Sequence, residues 1–278
     1  MFQMRKVVAL IILLSVATAQ TCGKATLNHM SAAMQLVSNQ TGEAVTGGTQ
    51  AADGAWPWTV SVCYKDWFGT CSYKGAGVII GDRWVLAADP EIDNTLTDYR
   101  VHVGSTQKDG GTLAQVQNVW VTSEFKNGKD HGDINLIELG APLKFSDHVQ
   151  PICVPKSDTD VVIPGHYAWF TSWGHTSNSM FAEEQKYLQQ AKLEFDNDTL
   201  CKNMYTYDSK YNCCAGGTGP SVCKKELGSP LMQKKGDTWY LYGISDTASP
   251  NGCSSAASFL RASYFCNFIN DVAGIDCV

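Results

Sequence analysis

From Val45 onward the chain is broken into short runs rich in Val, Ile, Trp, Phe and Tyr, separated by clusters of Gly, Asn, Asp and Ser. The runs read "WTVSVCY", "AGVIIG", "RWVLAA", "YRVHVG", "AQVQNVWVT", "INLIEL", "HYAWFTSWG", "TWYLYGIS" and "ASFLRASYF". Runs this short, at this spacing, are too brief for alternating strand–helix units, and β-branched and aromatic side chains suit a pleated, half-buried surface. The pattern predicts an all-β sandwich or barrel. Helical signal is confined to Asn197–Tyr205, with Asp198 near a helix start, and to Phe265–Val272 near the C-terminus. No fixed-period repeat and no low-complexity tract is present.

The chain start is of a different kind. Arg5 and Lys6 precede the apolar run Val7–Val16, and Ala17-Thr18-Ala19 is a small-residue cleavage signature. This is the build of a secretory signal peptide over residues 1–19, cut after Ala19; the apolar run is short for a membrane-spanning anchor. Residues 20–44 are polar and small, carry Cys22 and lack aromatic residues. They read as a prosegment or tether ahead of a domain at 45–278. Export makes the 11 cysteines legible as disulfides, with an odd one left over. Cys213-Cys214 has no His or Cys partner at zinc-like spacing, so neither metal nor other cofactor is expected. Cys63 and Cys71 flank a hairpin tip and are expected to pair. Asn39 (N-Q-T) and Asn197 (N-D-T) are glycosylation sequons. With 21 Lys+Arg against 27 Asp+Glu, a net charge of −6 and no dense basic run, neither nucleic acid nor a membrane surface is an expected partner.

An ordered series of short motifs carries a resemblance. "VTGGTQAADGAWPWTVSV", "GAGVIIGDRWVLAA", "DINLIEL", "VQPICVP", "TSWG", "CCAGG", "CKKELGSPL" and "ASFLRASYFCNFI" follow one another in the order found in the trypsin/chymotrypsin-like serine peptidases. The resemblance covers roughly residues 45–269. It implies two packed six-stranded antiparallel β-barrels, a cleft between them and a C-terminal helix.

The same resemblance implies that the chemistry is gone. The family mechanism needs a serine oxygen, a histidine to take its proton and an aspartate to hold that histidine. The aspartate position is Asp133. The histidine motif, usually Trp-Val-Leu-Thr-Ala-Ala-His-Cys, reads "WVLAADP" here. With one residue deleted, the histidine position is Asp89 and the following cysteine position is Pro90; ungapped, the histidine position is Pro90. The nucleophile motif, usually Gly-Asp-Ser-Gly-Gly-Pro-Leu, becomes Lys225 to Leu231. Leu227 then stands at the nucleophile position and has no oxygen to activate. Lys225 replaces a glycine whose N–H helps build the oxyanion hole. Ser229 lies two residues late, and His131 belongs to the loop before the aspartate strand, so neither is expected to stand in. His102, His148, His166 and His175 read as surface or strand-end residues. The specificity pocket maps to Ser221 at its floor, where a trypsin has aspartate, and to Asp246 on its wall.

The resemblance also implies the pairs Cys22–Cys153, Cys201–Cys214 and Cys223–Cys253, and the loss of two others at Gly75/Pro90 and Ala168/Gln233. Cys266–Cys277 would close the C-terminus and leave Cys213 odd. Active members are cut before an Ile or Val, commonly after Arg or Lys, and the new amine pairs with the aspartate beside the nucleophile. Here the cut would precede Val45, no Lys or Arg occurs between Lys24 and Lys65, and the acidic partner is Glu226. The prosegment is therefore expected to stay attached. The leading expectation is a secreted, inactive homologue that binds an extracellular protein: a protease, an inhibitor or another secreted protein. The alternatives are an active secreted serine endopeptidase with other catalytic residues, and a structural or toxin-like component linked to another chain through the odd cysteine.

Overall fold

The computed structural model describes residues 21–25, 48–88, 98–122, 134–175, 183–204, 207–217, 219, 221–223, 226–246, 253 and 255–278. Asn39, Asp89, Asp133 and Lys225, and the 1–19 and 45 boundaries, lie outside them; so do all but five residues of 20–44.

Six strands close a first barrel: β2 (Thr59–Lys65), β3 (Cys71–Ile79), β4 (Trp84–Ala88), β5 (Tyr99–Val103), β6 (Thr112–Val121) and β7 (Ile134–Leu139). Their order around the barrel is β2-β3-β4-β7-β6-β5. β5 alternates buried and half-buried residues along "YRVHV", the period-two pattern of a strand with one face inside. β4 and β7 are buried nearly throughout. The second half is a seven-stranded sheet, ordered β1-β9-β8-β11-β12-β13-β10. Its strands are β1 (Thr49–Gln50), β8 (Tyr167–Ser172), β9 (Gln189–Glu194), β10 (Asn212–Ala215), β11 (Pro230–Lys235), β12 (Thr238–Ser245) and β13 (Ala257–Arg261). All the named strand pairs are antiparallel. A bridge between Phe195 and Ala215 brings the two ends of the main six strands together, and β1 adds a seventh at the β9 edge.

The two halves are glued by tryptophan. Trp56 and Trp58, just before β2, meet Trp239 of β12, with Trp56 and Trp239 edge-to-face at 5.1 Å. Both indole N–H groups find partners across the junction: Trp56 Nε1 donates to Gln190 Oε1 at 2.7 Å, and Trp58 Nε1 to the Met232 sulfur. Buried indoles of this size supply apolar area together with a polar handle that fixes orientation.

The C-terminus follows its expected helix closely: a 3₁₀ turn over Ala262–Phe265 leads into α1 (Cys266–Ala273), ended by Gly274 at φ +66°. The helix expected at Asn197–Tyr205 is not formed by its described residues. Residues 198–204 make turns, with Cys201 N and Lys202 N both donating to the Asp198 carbonyl. Asp198 sits at φ +71°, outside helical backbone, and Cys201 is tied to Cys214. Five disulfides join Cys22 to Cys153, Cys63 to Cys71, Cys201 to Cys214, Cys223 to Cys253 and Cys266 to Cys277. Cys22 lies in a segment that also bonds the body through Gly23, whose N–H donates to Pro151 O and whose carbonyl accepts from Trp239 N. Among the described residues, no helix is long and apolar enough to cross a membrane.

Candidate functional site

The site lies where the loop before β11 meets the first barrel. Ser229 and Leu227 hold that loop in place through backbone bonds rather than side chains. The Leu227 carbonyl accepts from Ala76 N of β3 at 2.9 Å, Gly228 N donates to Ser245 O of β12 at 2.8 Å, and Ser245 N donates to Ser229 O at 2.9 Å. The loop is thus hydrogen-bonded to both halves of the molecule. Leu227 itself is half-buried.

Two glycines make this approach possible. Gly228 has φ +74°, and a Cβ there would stand 2.0 Å from Ala76 O. A Cβ at Gly75 would stand 2.7 Å from the Leu227 carbonyl oxygen. The loop therefore sits in space that a Gly75 side chain would need. Replacing Gly228 by Val combines a forbidden φ with a backbone clash, and is expected to cost about 3 kcal/mol or more in urea unfolding. A variant within about 0.5 kcal/mol of the parent would show the loop is not packed this way.

The positions around it are brought together by strand register. Ala88, which precedes Asp89, pairs with Ile134, which follows Asp133. The Ala88 N–H also lies 3.4 Å from the place a Gly228 Cβ would occupy. The chain neighbours of Asp89 and Asp133 thus converge on one strand end, and Ala88 abuts the Leu227 loop. Ser229 is fully buried, and its hydroxyl has no hydrogen-bond partner. It is not presented to a cleft.

Glu226 is the most perturbed carboxyl of the loop. It is 2% exposed. One of its oxygens accepts the Cys223 N–H, and the other has no hydrogen bond. Burial pushes its pKa up to about 8, against the opposing pull of the Cys223 N–H and of the Ser172 hydroxyl, which lies near without reaching bonding geometry to the free oxygen. Among the described residues, no cation pairs with it.

Ser221 is buried, its hydroxyl aimed at Gly219 O at 3.4 Å. Asp246 is also buried, and accepts from Asn212 Nδ2 at 3.1 Å. Reading along the sequence missed the polar set behind Asn212. There, Arg261 Nε donates to Asn212 O and its guanidinium holds Asp158 at 2.8 Å. "FLRAS" gave no signal for it, because the partners come from elements far apart in the chain.

The whole set now points one way. A family model described as Trypsin matches residues 45–269. The chain belongs to the trypsin family. It is also similar to chymotrypsin-C of Mus musculus, 31% identical over 245 residues, covering 82% of this chain and 88% of that protein. The six-stranded barrel, the curled second sheet and the terminal helix are the family's architecture in this chain.

Some ligand-type atoms converge elsewhere. Cys63, Cys71 and His102 place theirs within 4.8 Å of one another, but both sulfurs are joined in a disulfide, which leaves the imidazole without thiolate partners. Cys213 is free, fully buried and pushed up to about 12 by that burial. A protonated thiol inside the core is inert and cannot reach another chain. This overturns an interchain link through Cys213 in the folded protein. Asn197 is exposed on its turn and open to modification.

Proposed function

We propose that the chain is a secreted, catalytically inactive member of the trypsin family that acts by binding another extracellular protein. The observation that carries this reading is Leu227 at the nucleophile position, in a loop bonded to both halves of the molecule. The fold is kept where the chemistry is not. Turnover requires a hydroxyl or thiol with a base beside it. Leu227 supplies neither, and Ser229 is sealed in the core. Asp89 at the histidine position has no pair of ring nitrogens to bridge a nucleophile and an aspartate. The motif series and the 1–19 leader support export, and the partner class is a protease, an inhibitor or another secreted protein.

The likeness to chymotrypsin-C keeps a second reading in view, an active endopeptidase with other catalytic residues. A fluorophosphonate probe separates the two. No adduct is expected on the purified full chain, while an active trypsin-family enzyme in the same tube is labelled. Labelling at any serine overturns inactivity.

A further inference from the structure

Trp67 and Phe68 are 96% and 90% exposed. They stand side by side at the tip of the β2–β3 hairpin. Two adjacent aromatics left almost wholly in water forgo their burial free energy unless something covers them. The tip is also stiff. The Cys63–Cys71 disulfide closes its base. Within it, Asp66 N donates to Thr70 O, Gly69 N to Asp66 O, and Thr70 N to Asp66 Oδ1 at 2.8 Å. The rings are held outward by a loop whose ordering cost is already met in the fold, which is what a preorganised anchor requires.

The same chain carries a recess that fits such an anchor. A groove of about 560 Å³ is lined by Val103, Leu113, Ala114, Pro142, Leu143 and Val149, with Lys144 also in its wall. Leu113 is 47% exposed there. Strand register places the Val103 and Leu113 part of this groove away from the tip. Near the tip, Tyr64 pairs with Tyr99. Further along β5, His102 pairs with Leu113 and Val103 with Thr112, while the Gln115 side of the groove is level with Arg100. The four-residue step from Tyr99 to Val103 separates that part of the groove from the tip end of the strand by roughly 13 Å at about 3.3 Å per residue. The tip, only residues 66–70 and closed by the Cys63–Cys71 disulfide, is too short to fold back onto that part of its own groove, but the tip of a second copy can reach it.

Charge agrees with that occupant. Asp66 flanks the rings, and Lys144 flanks the groove with no ion pair among the described residues. A lipid surface fits less well, because the chain carries a net −6 and residues 66–70 of the tip include no basic side chain. We propose that Trp67 and Phe68 of one copy seat in the Val103–Leu113–Leu143 groove of another, with Asp66 beside Lys144. Such a contact is heterologous, so it builds head-to-tail chains or rings rather than a two-fold dimer. Two aromatics bury about 150–250 Å² each, with a similar area on the groove side. That total falls below the ~1,200 Å² of a stable interface, so the association is weak and appears at high concentration.

Sedimentation velocity of the full chain from about 1 µM to about 1 mM tests this. The wild type is expected to sediment faster as concentration rises. The Trp67→Ser/Phe68→Ser variant and the Leu113→Glu variant, both altered only at exposed positions, are each expected to stay monomeric with unchanged circular dichroism. Mixed in equal amounts, they are expected to form a one-to-one heterodimer and nothing larger, since one retains only a groove and the other only a tip. A wild type that stays monomeric throughout, a tip variant that still associates, or a mixture that forms no heterodimer overturns the proposal. So does wild-type binding to phosphatidylcholine vesicles, lost in the tip variant, without self-association; that result assigns the tip to a lipid surface.

Discussion

Replacing Leu227 by serine is expected to leave hydrolysis of an aromatic ester at the rate of buffer alone. The substitution returns an oxygen to the nucleophile position but not a base to activate it. The alignment that the family resemblance implies puts Asp89 at the histidine position, and a carboxylate cannot take the serine proton while also being oriented by Asp133. In a comparable triad the loss of serine or histidine alone costs on the order of 10⁶ in turnover. Adding Asp89→His to Leu227→Ser is expected to leave the rate still about 10²–10³ below an intact site, because the same alignment puts Lys225 at the oxyanion glycine. The measurement is kcat/KM on the ester for parent, single and double variants. A single Leu227→Ser variant running about 10⁵ or more above buffer, beyond the roughly 10³–10⁴ that binding and an oxyanion hole give without a triad, would mean that another group supplies the base, and would sink the reading of the site as dismantled.

Which parts of the molecule were legible depends on how local their cause is. "YRVHV" and "INLIEL" became strands because side-chain period and burial are local properties of a few residues. The strands at Gln189–Glu194 and Pro230–Lys235 carry no β-branched or aromatic run of their own. Their sequences, "QQAKLE" and "PLMQKK", look polar, and only pairing with neighbours makes them strands. "ASFLRASYF" reads as one run, but the strand stops at Arg261 and the chain turns into 3₁₀ geometry at Ala262. The turns after Asp198 replaced a helix because the disulfide to Cys214 and a left-handed residue outweigh local propensity. At the site, the alignment that puts Leu227 at the nucleophile position could be read from "CKKELGSPL" alone. The reason Gly75 is glycine could not, since it lies in the Leu227 carbonyl, 152 positions away in the chain, which occupies the space a side chain would need.

Glu226 offers the sharpest test of whether the prosegment stays on. A lone buried carboxyl held near pKa 8 is protonated in the folded protein at pH 6, while its unfolded counterpart, with an ordinary value of 4.5, is ionised. The folded state then binds more protons than the unfolded one, so stability falls as pH rises. The contribution is fully present below about pH 4.5, is lost progressively up to about pH 8 and is flat beyond. One group with this shift can contribute on the order of a few kcal/mol across that window. Glu226→Gln keeps the shape and removes the titration. The variant is expected to match the parent at pH 4.5 and to exceed its urea midpoint at pH 8. Cleavage before Val45 would reverse the sign, because a new amine paired with the carboxylate favours the ionised form and makes Glu226→Gln destabilising at pH 8. One pair of unfolding curves at pH 8, parent against Glu226→Gln, therefore reports whether this carboxyl is alone in the core or has acquired a cation. A parent curve independent of pH, with the variant unchanged from it, would show that Glu226 is neither.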